Sequence, residues 1–171
     1  EYGFPESHAA SFALLVYASC WIKRHEPAAF LTALLNSQPM GFYTPSQLVQ
    51  DARRHGVEVR AVDVMHSAVE TTLEDRPGTP AVRLGLHKVQ GLRTASAQRI
   101  VAERHKAPFD SAEELARRAR LEQSEMKLLA AGGALASLSG HRRQQVWDAA
   151  ALHAPPALLQ DAPVDEDFWE L

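Results

Sequence analysis

"GLHKVQGLRTASAQRIVAER", residues 85–104, decides the fold. A short lead-in reaches Val89, and Gln90-Gly91-Leu92-Arg93 makes a tight turn. An alanine-rich helix follows at once, with Thr94 at its start, and the helical pattern runs to His105. Gly91 lets the backbone approach a neighbour closely, and Leu92 is placed to pack inward and hold the turn.

Lead-in, glycine turn and helix in that order form the pattern of a helix-hairpin-helix element. The amides of the turn and of the first helical turn point outward together, which makes an anion site suited to a nucleic-acid phosphate. The expected phosphate-binding residues are Lys88, Gln90, Gly91, Leu92, Arg93 and Thr94, with Lys88 and Arg93 adding charge. Contacts of this kind position a duplex without reading its bases. The pattern commonly carries a second glycine where this chain has Arg93. The competing reading is an ordinary packing corner between two helices. A weaker copy follows: a helix over 112–118, the glycine-free turn "ARLEQ", a helix over 124–131, then Gly132-Gly133. It reads as the structural partner that completes a tandem pair.

Charge supports the nucleic-acid reading. Residues 83–143 hold twelve Lys/Arg against six Asp/Glu, an excess of six positive charges in a chain whose total is −3. A basic helical module between acidic segments is a nucleic-acid footprint, although a solvated helix surface has the same composition.

Outward from this module the chain is mainly helical with one or two short strands. Ser7 is placed to cap a helix running to about His25, and apolar residues cover almost every face of that helix. It is expected inside a larger body, with Cys20 as core. Pro27 suits the first turn of "PAAFLTALLNS". Thr44-Pro45-Ser46-Gln47 forms a capping box, and the helix it opens ends at Gly56. "VEVRAVDV" alternates like a half-buried strand, with Glu58 and Asp63 on a solvent-facing edge, and "AVRLGL" supplies a second. "EDRPGTP", residues 74–80, is the expected module boundary. Ser111 with Glu114 forms another capping box, a further helix is expected at about His141–His153, and an acidic tail follows Pro155.

Several functions lack support. One cysteine excludes an internal disulfide framework, and the eight histidines form no metal-ligating cluster. The apolar run Ala9–Ile22 is shorter than the roughly 20 residues a bilayer needs and contains Ser11 and Ser19. Glu1 and Glu6 before it are the wrong charges for an export signal. No catalytic residues and no metal ligands are assigned. Ser7 and His8, adjacent on one helix, do not face each other as a catalytic pair. They remain candidates for presenting His8 and the helix N-terminus to a bound phosphate, such as that of a nucleotide.

"YGFPESHAASFALLVYASCWIKRHEPAAFLTALLNSQ" resembles the late fingers region of bacterial C-family DNA polymerases, the replicative alpha-subunit type. The resemblance rests on Gly3, Phe4, Ser7, His8, Ala9, Phe12, Trp21, Ile22, Lys23, His25, Pro27, Ala28 and Phe30, then on "DARRHGVEV" and the tandem hairpins. Pro5-Glu6 replaces the Asn-Lys usual in replicative members, and "LLNSQPMGFYTPSQLVQDARRHGVEVRAVDV" is similar to the error-prone, damage-associated ImuC-type branch.

The resemblance implies three segments: residues 1–75 as the end of a fingers domain, 76–154 as a tandem helix-hairpin-helix domain, and 155–171 as an acidic linker. It implies a piece of a DNA-directed DNA polymerase acting in damage-tolerant synthesis, with duplex primer–template DNA as partner. A sliding clamp and other mutagenesis proteins would join the full protein, in the cytoplasm and away from any membrane. Magnesium and dNTPs would belong to the complete polymerase, whose catalytic aspartates lie in an earlier palm domain, so the piece alone should be inactive. The rivals are a stand-alone hairpin module of a repair protein, and a non-catalytic protein whose basic face binds an acidic partner.

Overall fold

A computed structural model of the chain describes residues 6–139. Gly3, Phe4, Arg142, Arg143, the expected helix at about His141–His153 and the acidic tail lie outside the described residues.

The first element, α1 (Glu6–His25), already contains Ser7 in its opening turn instead of being capped by it. Its apolar residues do not find a core within the described chain. Leu14 and Tyr17 are each 70% exposed, Trp21 is 51% exposed, and Cys20 is exposed where burial was expected. Apolar side chains all round a helix cannot be covered by one neighbour, and α1 meets little beyond its C-terminal end. There Lys23 Nζ lies 2.9 Å from Asp51 Oδ2.

Pro27 opens α2 (Pro27–Asn36) at a first-turn position, where its missing N–H costs nothing. In α3 (Pro45–Arg54) the Thr44 hydroxyl accepts from the Gln47 amide, and Gln47 Oε1 accepts from the Thr44 amide at 2.9 Å. Gly56, at φ +82°, then reverses the chain, as the sequence predicts. Ala28, Leu31 and Leu35 of α2 pack with Ala52, Val57, Val59 and Val82 in one core.

The sheet has three short strands, one more than expected. These are β1 (Val59–Arg60), β2 (Thr72–Glu74) and β3 (Ala81–Arg83), in the order β1-β3-β2. β3 runs parallel to β1 and antiparallel to β2, so residues 75–80 connect two neighbouring strands. The alternation of "VEVRAVDV" persists as a strand for only two residues. Beyond it Val62 and Val64 turn into the second core, and Asp63 is buried there. Its Oδ1 accepts from the Met65 amide at 2.8 Å, and its Oδ2 accepts from the Ser137 hydroxyl at 2.7 Å and from the Ser137 amide at 3.2 Å. The expected solvent-facing edge therefore holds for exposed Glu58, which pairs with Arg60 and Arg76, and fails for Asp63.

The second core lies under α4 (Thr94–Lys106), α5 (Ala112–Arg118), α6 (Gln123–Ala131) and the short α7 (Ala136–Ser139). A single 3-10 turn, Leu86–Lys88, leads into α4. Leu86, Ile100, Leu115, Met126, Leu129 and Leu135 are all fully buried in this core. Side chains of this size contribute about 1.5–3 kcal/mol each when removed from water. Ser111 caps α5 by accepting from the Glu114 amide at 3.1 Å, while Glu114 reaches back to the Asp110 amide at 2.8 Å.

Candidate nucleic-acid interface

The first hairpin turn has the backbone its glycine predicts. Gly91 sits at φ +84°, in the left-handed region, and a Cβ added there would stand 3.2 Å from Cδ1 of Leu128 on α6. Leu92 packs against the second core, and its amide donates to the Val89 carbonyl at 3.1 Å. Arg93 is the N-cap of α4, and Thr94 begins the helix. The leading N–H groups of a helix have no acceptor within it, so those of Thr94 and Ala95 are available to an anion.

The second turn repeats the first without a glycine. Arg120 takes φ +50° at the position matching Gly91. Leu121 then packs into the core as Leu92 does, and Glu122 is the N-cap of α6 as Arg93 is of α4. The same offset relates Leu86 to Leu115, Ala97 to Met126, and Ile100 to Leu129, all buried. Each turn also leans on the other unit's helix at matching positions. Gly91 rests on Leu128, while the Arg120 carbonyl accepts from Arg99 Nη2 at 3.3 Å. The pair is a tandem repeat with approximate twofold symmetry.

The two helix N-termini meet across that pseudo-axis. Arg93 donates from Nε to Glu125 Oε1 at 3.0 Å and from Nη2 to Glu122 Oε1 at 2.9 Å. The buried Ser96 hydroxyl also donates to Glu125 Oε1, and the Glu122 amide donates to Glu125 Oε2 at 3.1 Å. Burial pushes the Glu125 carboxyl up, but the donors Arg93, Ser96 and the Glu122 amide outweigh it and hold its pKa at about 2. The same carboxylates, Glu125 first and then Glu122, raise the Arg93 pKa.

Most of the basic residues in this half of the chain serve the fold. Lys88 turns its ammonium to the Leu35 carbonyl at the end of α2, and burial lowers its pKa. Arg104 bonds the carbonyls of Val64 and Ser67 at 2.7 and 2.8 Å. Arg99 bonds the Ala119 carbonyl at 2.8 Å, and Arg118 bonds Pro108 and Ala107 while lying over the Phe109 ring.

Of the residues expected at phosphate, Gly91, Leu92, Arg93 and Thr94 thus come together at the turn, with Gln90 exposed beside them. Lys88 points to α2, and Arg93 already holds two carboxylates. His8 lies on exposed α1, its ring 4.4 Å from that of Phe12. Sequence reasoning missed Ser96, Glu122 and Glu125. The available signal was the spacing shared by "GLRTAS" and "RLEQSE", which places Arg93 opposite Glu122 and Ser96 opposite Glu125. No group of three or more His, Cys, Asp or Glu side chains able to hold a metal ion occurs among the described residues. No helix among them is long and apolar enough to cross a membrane.

Residues 56–145 match the family model of the helix-hairpin-helix motif. The chain belongs to the helix-hairpin-helix family. Over nearly its whole length it is also similar to proteins named error-prone DNA polymerase, as the resemblance in its first forty residues implies. That of Azoarcus sp. (strain BH72) is 59% identical, with 97% of this chain and 16% of the relative covered. That of Burkholderia pseudomallei (strain K96243) is 58% identical, with 97% and 16% covered. That of Aromatoleum aromaticum (strain DSM 19018 / LMG 30748 / EbN1) is 58% identical, with 100% and 16% covered. The chain spans about 16% of the length of these relatives. Helix-hairpin-helix membership and the paired turns agree on one architecture, in which the N-termini of α4 and α6 are joined through Arg93, Glu122 and Glu125.

Proposed function

We propose that this chain is part of an error-prone DNA-directed DNA polymerase, in which the hairpin pair grips duplex primer–template DNA by its phosphates. The observation that carries the reading is the Gly91 turn, whose left-handed backbone leads directly into α4, where the first helical amides have no acceptor within the helix. Such a grip is independent of base sequence and weakens as salt rises, because phosphate neutralisation releases counterions. The names of the relatives favour a polymerase over a stand-alone repair module.

The further assignments rest on the resemblance of the first forty residues to the late fingers region of C-family polymerases. Residues 1–75 act as the end of a fingers domain, with Ser7 and His8 near the incoming nucleotide. Synthesis across damaged template, repair, a sliding clamp and other mutagenesis proteins as partners, and a cytoplasmic setting complete the reading. Nucleotidyl transfer, with its magnesium and dNTPs, is assigned outside the described residues. Glu122 and Glu125, adjacent carboxylates on the hairpin face, are both engaged by the Arg93 guanidinium and do not fit a magnesium site.

The test is binding of the 171-residue chain to duplexes of unrelated sequence at low salt. Similar affinities that fall together as salt rises support the grip. An affinity for single strands or for an acidic protein, with none for duplex, overturns it.

A further inference from the structure

We infer that Arg93 is a positioning residue that locks the two hairpins together, and that Arg117, Arg120 and Lys127 bring the side-chain charge to phosphate. The inference rests on the phosphate-grip reading and deepens it. Arg93 stands at the position of the first unit that Glu122 occupies in the second, and Ser96 at that of Glu125. These four residues bond to one another across the pseudo-axis, so the cluster fixes how one helix N-terminus sits against the other. Withdrawing the guanidinium towards a phosphate would strand Glu125, whose side chain is only 4% exposed, as a buried carboxylate without its cation. Glu122 would be left facing the same phosphate.

The remaining Lys and Arg side chains of described residues 83–139 fall into three groups. Arg83, Lys106 and Arg118 pair with acids, and Lys88, Arg99 and Arg104 bond backbone carbonyls. Arg117, Arg120 and Lys127 are exposed and carry no side-chain hydrogen bond or ion pair among the described residues. Arg120 occupies the second turn itself, at the position of Gly91. Lys127 precedes Leu128, on which the Gly91 turn rests. Arg117 lies in the last turn of α5, shortly ahead of the second turn. The three charges all lie within five residues of Glu122, the N-cap of α6, while the lock itself sets two carboxylates against one guanidinium.

The experiment measures duplex affinity against salt, together with Tm, for the 171-residue chain and its variants. Arg117→Gln, Arg120→Gln and Lys127→Gln should each reduce the slope of log affinity on log salt by about one, with Tm nearly unchanged. Arg93→Gln should lower Tm by several degrees and affinity by about tenfold, with the slope unchanged. Glu125→Gln should lower Tm similarly, and the double variant Arg93→Gln/Glu125→Gln should be no worse than either single one. Arg93→Lys, which keeps the charge but loses the fork, should restore affinity only in part.

A slope that falls by about one in Arg93→Gln at unchanged Tm would overturn the assignment. So would tighter duplex binding by Glu125→Gln at unchanged Tm, since that would mean Arg93 had been freed for phosphate. Unchanged slopes in all three flanking variants would remove their part of the proposal. Absence of duplex binding by the unaltered chain would instead defeat the grip itself, and the Tm coupling between Arg93 and Glu125 would still report on the lock.

Discussion

Arg93 Nε lies 3.0 Å from Glu125 Oε1, joining the N-cap of one hairpin helix to the first turn of the other. The bond makes Glu125 a pH-dependent contributor to stability. Its carboxyl is held at about 2 in the folded chain against an ordinary 4.5. A depressed folded pKa stabilises above the unfolded value, and the contribution disappears as pH falls through the folded one. Stability should therefore drop between about pH 4.5 and pH 2, by on the order of 3 kcal/mol from this group. Urea denaturation across that range checks it, and Glu125→Gln should flatten the drop. Glu114, Glu74 and Asp51, also lowered by their partners, account for the slope that persists.

Gly85 has no room for a side chain. A Cβ there would lie 2.3 Å from the Glu70 carbonyl carbon and 2.6 Å from the Thr71 amide nitrogen, both backbone atoms that cannot rotate away. The two segments are already tied, Leu86 N–H to Ala68 at 2.9 Å and His87 N–H to Val69 at 3.0 Å. Gly85→Ala should destabilise by about 2–4 kcal/mol, measured as a lower urea midpoint. A midpoint equal to that of the unaltered chain would show that the 68–71 segment is not packed this way.

Asp63 ties the chain entering the second core to Ser137 at the start of α7. Asp63→Ala leaves the Ser137 and Met65 amides without their acceptor. A loss of about 2–3 kcal/mol in urea denaturation is expected. Ser137→Ala, which removes the hydroxyl but leaves the amide bond intact, should cost about 1 kcal/mol.

Gly91 and Arg120 test the repeat from opposite sides. Gly91→Val places a β-branched residue at φ +84° against Leu128 and should cost about 2 kcal/mol or more, with a sharp loss of duplex affinity. A contact made only by diffuse charge would hardly respond to it. Arg120→Gly gives the second turn the residue its backbone favours, at φ +50°. Tm should hold or rise slightly, while duplex affinity falls through the lost charge.

How much of this was legible follows from how local each feature is. Gly91, the Thr44–Gln47 box and Pro27 act through the backbone within a few residues, and their positions declare them. The strand in "VEVRAVDV" was harder, because Asp63 is polar by composition yet buried by a partner more than seventy residues away. Glycine is the usual sign of a left-handed turn, and Arg120 adopts that conformation without it. The charge excess over 83–143 was visible, but the carbonyls and carboxylates that occupy most of those cations come together only in the fold. α1 read as buried because it is apolar on every face, and the described residues cover almost none of it.

If the hairpin pair holds duplex DNA through phosphates, duplex binding by the 171-residue chain must depend steeply on salt. A log–log slope of about −3 or steeper is expected, the same for unrelated sequences and shallower by about one for each of Arg117→Gln, Arg120→Gln and Lys127→Gln. A slope near zero, or no duplex binding at about 50 mM salt, would contradict the phosphate grip.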